Sequence, residues 1–230
     1  MAELILALDV PHGPAALSLL DRLPDVRWVK VGPVLMTREG PGLVRELVGR
    51  SLHVFLDLKW HDIPNTVAEA VAGARELGVS MATLHIVGGE AMMRAAVAAA
   101  GTELALVGVT VLTSHDAPSY ARAVGRADVD LDQEVVRLAD DAVRGGLAGV
   151  VCSIREIGLV RGGLGPGARI VVPGIRRDSD AVGDQARVGS AAEAASAGAT
   201  HLVIGRPVVQ SADPAAAFGE FLEEAQCAGS

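Results

Sequence analysis

Residues 55–67 read FLDLKWHDIPNTV, and Asp57, Lys59, His61 and Asp62 crowd four ionisable groups into six positions. A strand that is only structural seldom carries so much charge. On a strand, Asp57 and Lys59 project to the same face, because side chains alternate with a period of two. Asp62 falls just past the apolar run, where Pro64 restricts the turn. Lys30, in the earlier run RWVKVG, can approach the same face from a neighbouring strand. The expected product is an alternating array of lysines and aspartates. At ~4 Å and an effective dielectric of ~20, each contact is worth roughly 4 kcal/mol before desolvation is subtracted. Opposite charges hold every member ionised, lowering carboxylate pKa values and raising those of the ammonium groups.

That setting separates two lysine chemistries. A Schiff-base lysine must be neutral, which requires burial or a nearby cation. Lys59, flanked by carboxylates, is expected to stay protonated and to act as a proton donor. A carboxylate such as Asp57 beside the reacting atom destabilises a bound anionic substrate. The pair therefore suits a reaction that expels CO₂ and protonates the carbanion left behind. A buried ion-pair network that merely closes a barrel is the structural alternative. The chain's 20 basic residues are 18 arginines and only two lysines, Lys30 and Lys59. Lysine survives where a compact, titratable ammonium is needed and a guanidinium would not serve.

Eight short apolar runs must position these groups: residues 4–10, 27–32, 53–59, 81–87, 104–112, 148–153, 169–175 and 201–207. Segments of helical periodicity lie between them, among them 15–23, 67–78, 89–101, 131–146 and 190–198. Alternation of this kind predicts parallel strands joined by helical crossovers, and near-continuous hydrophobicity predicts strands buried on both faces. Eight units in 230 residues fit an α/β fold of the (β/α)₈ TIM-barrel class, one domain spanning 1–230. A doubly wound open sheet is disfavoured, because no G-x-G-x-x-G or Walker A segment follows any run. Nearly every run ends in polar residues: Asp9, Lys30, Asp57 with Lys59, His85, Thr110 and Thr113, Ser153, Arg176 and Arg206. In a barrel those ends converge on the active-site rim.

Composition narrows the partners. A formal net charge of −8 argues against nucleic acid or an anionic membrane. No apolar run approaches the ~20 residues of a membrane span, and MAELILALDVP lacks a basic leader. Two cysteines, Cys152 and Cys227, suggest a reducing compartment, with the cytoplasm as the default. The histidines show no metal-binding spacing, so no metal is expected.

The ends of the seventh and eighth runs, VPGIR and IGRPV, are the usual phosphate site of such a barrel. Gly174 and Gly205 permit close backbone approach, and Arg176 and Arg206 offer bidentate donors. Pro207 is placed to begin a helix. The polar segment 176–189 between them suits a loop that closes over a ligand.

FLDLKWHDIPNTV contains D-x-K-x-x-D-I-P-x-T and closely resembles the signature of the orotidine 5′-phosphate decarboxylase family. The likeness extends in order through LALDV, KVG, VTVLTS, VPGIR and VIGRPV, nearly the whole chain. It implies a (β/α)₈ barrel, a homodimer, no cofactor, and conversion of orotidine monophosphate to UMP. By resemblance, Lys59 is the proton donor to C6, Asp57 the carboxylate beside the leaving CO₂, and Lys30 completes the array. Asp62 resembles an aspartate lent to the partner subunit's site. Asp9 and Thr66 match ribose contacts, Thr113 a ligand-loop position, Ser153 a residue near the base, and Gln185 a contact to phosphate and base. The rival within the superfamily is a Mg²⁺-dependent β-keto-acid decarboxylase or hexulose-phosphate synthase, which needs a glutamate where this chain has Lys30. A catalytically silent phosphate-binding protein is the alternative from another class.

Overall fold

The eight apolar runs become β1 (Glu3–Ala7), β2 (Trp28–Val31), β3 (His53–Trp60), β4 (Met81–His85), β5 (Ala105–Val109), β6 (Gly149–Val151), β7 (Arg169–Pro173) and β8 (His201–Ile204). This is seen in a computed structural model that describes residues 2–177 and 189–227. All pair in parallel in chain order, and β8 returns to β1 through Leu4↔Leu202 and Ile5↔Val203, so the sheet closes. The expected (β/α)₈ TIM barrel is therefore the fold. Most strands stop two or three residues before the apolar runs do, and the remainder bends into the rim.

Ten helices occur among the described residues: α1 (Gly13–Leu20), α2 (Pro33–Gly49), α3 (Pro64–Glu76), α4 (Glu90–Ala100), α5 (Ala117–Ala123), α6 (Leu131–Arg144), α7 (Ile157–Arg161), α8 (Ala191–Ser196), α9 (Arg206–Val209) and α10 (Pro214–Cys227). Local chemistry starts and stops them. Asp130 caps α6 by accepting from the amides of Asp132 and Gln133, and Arg144 stands in its last turn. Ser190 and Glu193 form a reciprocal capping box on α8. In α3, Pro64 occupies the first turn and Val67, Val71 and Ala74 form the buried stripe. Helix α2 has no counterpart among the segments expected to be helical. It kinks at Gly40, whose φ is +62°, just before Pro41, and those two residues mask its periodicity.

Two apolar cores result. The larger lies between sheet and helices, and the smaller fills the barrel with Ile5, Ala7, Trp28, Phe55, Met81, Val107, Val171 and Val203. Each fully buried Ile, Phe or Met contributes roughly 1.5–3 kcal/mol. The inward rows change character towards the C-terminal rim: Ile5 and Ala7 lead to Asp9, Trp28 to Lys30, Phe55 to Asp57 and Lys59, and Met81 to Thr83 and His85. The core thus ends where the charges begin.

Candidate active site

The charged row of β3 is not a regular strand. Leu56 pairs with Ala82 and Trp60 with Leu84, so four steps on β3 span two on β4. The excess is absorbed near Lys59, whose φ is +52°. For a non-glycine residue that conformation costs about 1–2 kcal/mol. The Lys59 amide is turned away from the ladder and donates to Thr83 Oγ1 at 2.9 Å.

The side chains meet as the alternation of charge required. Lys59 Nζ donates to Asp57 Oδ1 at 2.8 Å, and Lys30 Nζ lies 3.7 Å from Asp57 Oδ2. Lys30 also bonds Asp9 Oδ1 at 3.1 Å, and Thr83 donates to Asp57 Oδ1 at 3.0 Å. Burial pushes the Asp57 carboxyl up. The charges of Lys59 and Lys30, with hydrogen bonds from Lys59 and Thr83, outweigh it and hold the group below the usual carboxylate range. Nearby, burial depresses the pKa of His85, reinforced by His61 and Lys59 and opposed by Asp57.

The charge array opens on a cavity of about 410 Å³ that the phosphate candidates and a set of apolar side chains also line. Asp9, Lys30, Asp57, Lys59, Thr113, Arg176, Gly205 and Arg206 all face it. A Cβ on Gly205 would come within 3.2 Å of Asp9 Oδ2 and 3.4 Å of Ala7 Cβ, a tight fit that a small shift of the Asp9 side chain would relieve. Arg176 is buried, and Pro207 begins the one-turn helix α9 as expected.

Three expected site residues stand elsewhere. Ser153 is fully buried and does not line the cavity, whereas its neighbour Cys152 does. Asp62 and Thr66 are exposed, in the turn after β3 and the first turn of α3. Asp62 accepts from its neighbour's amide, Ile63 N, at 2.7 Å, and forms no ion pair with Lys30 or Lys59 among the described residues. Gln185 lies outside the described residues.

Three supports escaped sequence reasoning. Thr83 was detectable as a polar residue in the inward parity of Met81 and His85. Gln210 lines the cavity one turn beyond Arg206, with no local signal. Glu134, buried in α6, accepts from Tyr120 of α5 and from Arg126 and Arg137. The Arg137 hydrogen bond outweighs burial and holds its carboxyl at about 2. That knot ties α5 to α6. Next to Arg176, Arg177 pairs with Glu220 and sits 5.0 Å over the Phe221 ring, tying the chain just after β7 to α10.

Known proteins share this layout. A chain from Alkalilimnicola ehrlichii, called orotidine 5′-phosphate decarboxylase, is 49% identical over 97% of this chain and 96% of its own. One of the same name from Vibrio atlanticus is 44% identical over 95% and 96%. The crystal structure of orotidine 5′-phosphate decarboxylase from Lactobacillus acidophilus superposes with a TM-score of 0.86 at 29% identity, covering 98% of this chain and 99% of that one. The family model described as Orotidine 5′-phosphate decarboxylase / HUMPS family matches residues 2–221. With barrel, charge array and nearly full-length likeness in agreement, the chain belongs to that family.

Proposed function

We propose that this protein decarboxylates orotidine 5′-phosphate to UMP without a cofactor, supplying a pyrimidine nucleotide in the cytoplasm. One observation carries the reading: Lys30, Asp57 and Lys59 form a hydrogen-bonded charge array in the cavity that Arg176 and Arg206 also line. The arginines hold the phosphate, and Asp9 and Thr113 hold the nucleoside. Asp57, kept ionised, faces the substrate carboxylate and favours its departure. The C6–CO₂ bond breaks, its electron pair stays on C6, and the Lys59 ammonium gives C6 a proton. Solvent then reprotonates the amine.

The array also weighs against the Mg²⁺-dependent alternative, because Lys30 occupies the place on β2 where a metal-holding carboxylate is required. The active unit is a homodimer in which Asp62 completes the partner's site, with Thr66, the matched ribose contact, in the helical turn just beyond it. Supporting this, both are exposed, Asp62 pairs with neither lysine of its own chain, and exposed Val34, Ile63 and Val87 follow β2, β3 and β4. The test is loss of orotidine monophosphate absorbance on mixing with purified protein in EDTA. Turnover that requires added Mg²⁺, or none at all with this substrate, refutes the proposal.

A further inference from the structure

A single hydroxyl at the centre of the site is engaged on both sides. Thr83 is fully buried on β4. The Lys59 amide can only donate, so Thr83 Oγ1 accepts from it at 2.9 Å, and the hydroxyl proton goes to Asp57 Oδ1 at 3.0 Å. Asp57 Oδ1 in turn accepts from Lys59 Nζ at 2.8 Å. Lys59 is thus gripped at both ends, its main chain through Thr83 and its ammonium through Asp57. The grip falls where the backbone is least comfortable, at φ +52°. An unfavourable conformation of this kind persists only when its surroundings enforce it.

We infer that Thr83 is a positioning residue for the Asp57–Lys59 pair, its hydroxyl holding the left-handed turn at Lys59 while aiming Asp57. This rests on the decarboxylase reading for its kinetic consequence, though not for its geometry. Without the hydroxyl, a part-buried amide and a carboxylate oxygen each lose a partner, and the turn at Lys59 is free to relax towards extended geometry. The ammonium then moves with its Cα. Displacing a reacting group by ~1 Å can cost on the order of 10²-fold in rate.

The experiment compares Thr83→Val, which keeps the shape and removes the hydroxyl, with Thr83→Ser, which keeps the hydroxyl. Thr83→Val is expected to lower kcat by roughly 10- to 100-fold, the range for one charge-assisted hydrogen bond, while UMP affinity stays within about threefold. In ¹³C NMR titrations its Asp57 carboxyl should titrate at higher pH than in wild type. Lys59 from β3, Lys30 from β2, Asp9 beside Lys30, and His85 from β4 are the charged and titratable groups facing Asp57, so the rise reports loss of the hydroxyl together with the shift of the Lys59 ammonium that follows it. Thr83→Ser should restore all three readings. If Thr83→Val does not fold, Thr83→Ala takes its place. A hydroxyl-free variant with near wild-type kcat overturns the inference, and so does a serine variant as impaired as valine, which would mean that the methyl group matters. If wild-type protein fails to consume orotidine monophosphate, the decarboxylase reading falls. The NMR titration then decides alone: a rise in valine but not serine sustains the positioning role, and no rise overturns it.

Discussion

Mild acid should weaken the floor of this barrel through one histidine. His201, at the start of β8, is only 7% exposed. Trp28 meets its ring edge-on at 5.2 Å, and Nδ1 lies 2.8 Å from Thr200 Oγ1. Burial, and then the Arg169 charge, lower its pKa from 6.5 to about 4. The folded state therefore takes up the proton later than the unfolded chain does. Its stabilising contribution is whole above pH 6.5, declines as pH falls from 6.5 to 4, and is gone below that. At 1.36 kcal/mol per pH unit the full loss is about 3 kcal/mol, of which about 2 kcal/mol has gone by pH 5. A domain whose total stability is ~5–15 kcal/mol registers that clearly. Urea unfolding at pH 7.5 and pH 5.0 measures it in wild type and in His201→Phe, which keeps a ring against Trp28 but cannot titrate. The quantity compared is each protein's change between the two pH values, so carboxylates common to both cancel. Wild type should lose about 2 kcal/mol more than the variant. Equal losses would refute the argument.

The other expectations concern the rim. Lys59→Ala should abolish turnover while UMP affinity survives, because the proton donor acts on the developing carbanion; near wild-type turnover would remove Lys59 from the mechanism. Arg206→Ala should lower kcat/KM by about 2–4 kcal/mol with the phosphorylated substrate, as loss of a charge-assisted contact predicts. An equal loss with the unphosphorylated nucleoside would show that Arg206 does not read phosphate. Co-refolding Lys59→Ala chains with Asp62→Ala chains should restore about a quarter of wild-type activity per site, since random pairing makes about half the dimers mixed and each has one intact site. A flat mixing curve in chains shown to exchange would assign Asp62 to its own subunit.

The parts of this molecule that could be read from sequence are those that period and charge encode directly. Eight apolar runs announced eight strands, and their polar ends announced the rim. Asp57 and Lys59 met because opposite charges two apart on an inward row have few other stable arrangements. Strand ends were read too long because Val10, Ile86, Val111 and Ile175 are as apolar as any strand residue, although the hydrogen-bond ladder has already ended. Helix α2 was hidden by Gly40 and Pro41, which punctuate it without ending it. The turn at Lys59 carries no local signal at all, since lysine has no preference for positive φ. It arises from a register mismatch between β3 and β4 that only the closed barrel imposes. Ser153, expected at the site because it ends its run and matches a position near the base, lies off the cavity: β6 ends at Val151, and beyond it Cys152 rather than Ser153 lines the space.

Charge bookkeeping over the whole cavity connects the two ends of the site. Among the described residues, its charged lining is Lys30, Lys59, Arg176 and Arg206 against Asp9 and Asp57, a formal excess of two positive charges. A nucleotide monophosphate carries close to two negative charges near neutral pH, and so brings the occupied cavity to balance. A nucleotide with an additional carboxylate overshoots by one. On the proposed function that extra charge lies near Asp57, whose side chain is only 13% exposed, in surroundings where unbalanced charge is poorly screened. Lys59, 33% exposed, is the partner more open to water. A ligand seated over it excludes that water and strengthens its interaction with whatever anion adjoins it. In that reading, losing CO₂ removes the surplus charge, and Lys59 protonates the carbon left behind. On the proposed function, the phosphate arginines bind substrate and product alike, and only the Asp57–Lys59 pair distinguishes the carboxylate-bearing nucleotide from the one without it. A change at Arg206 should therefore act on both ligands, and a change at Asp57 or Lys59 on the reaction between them.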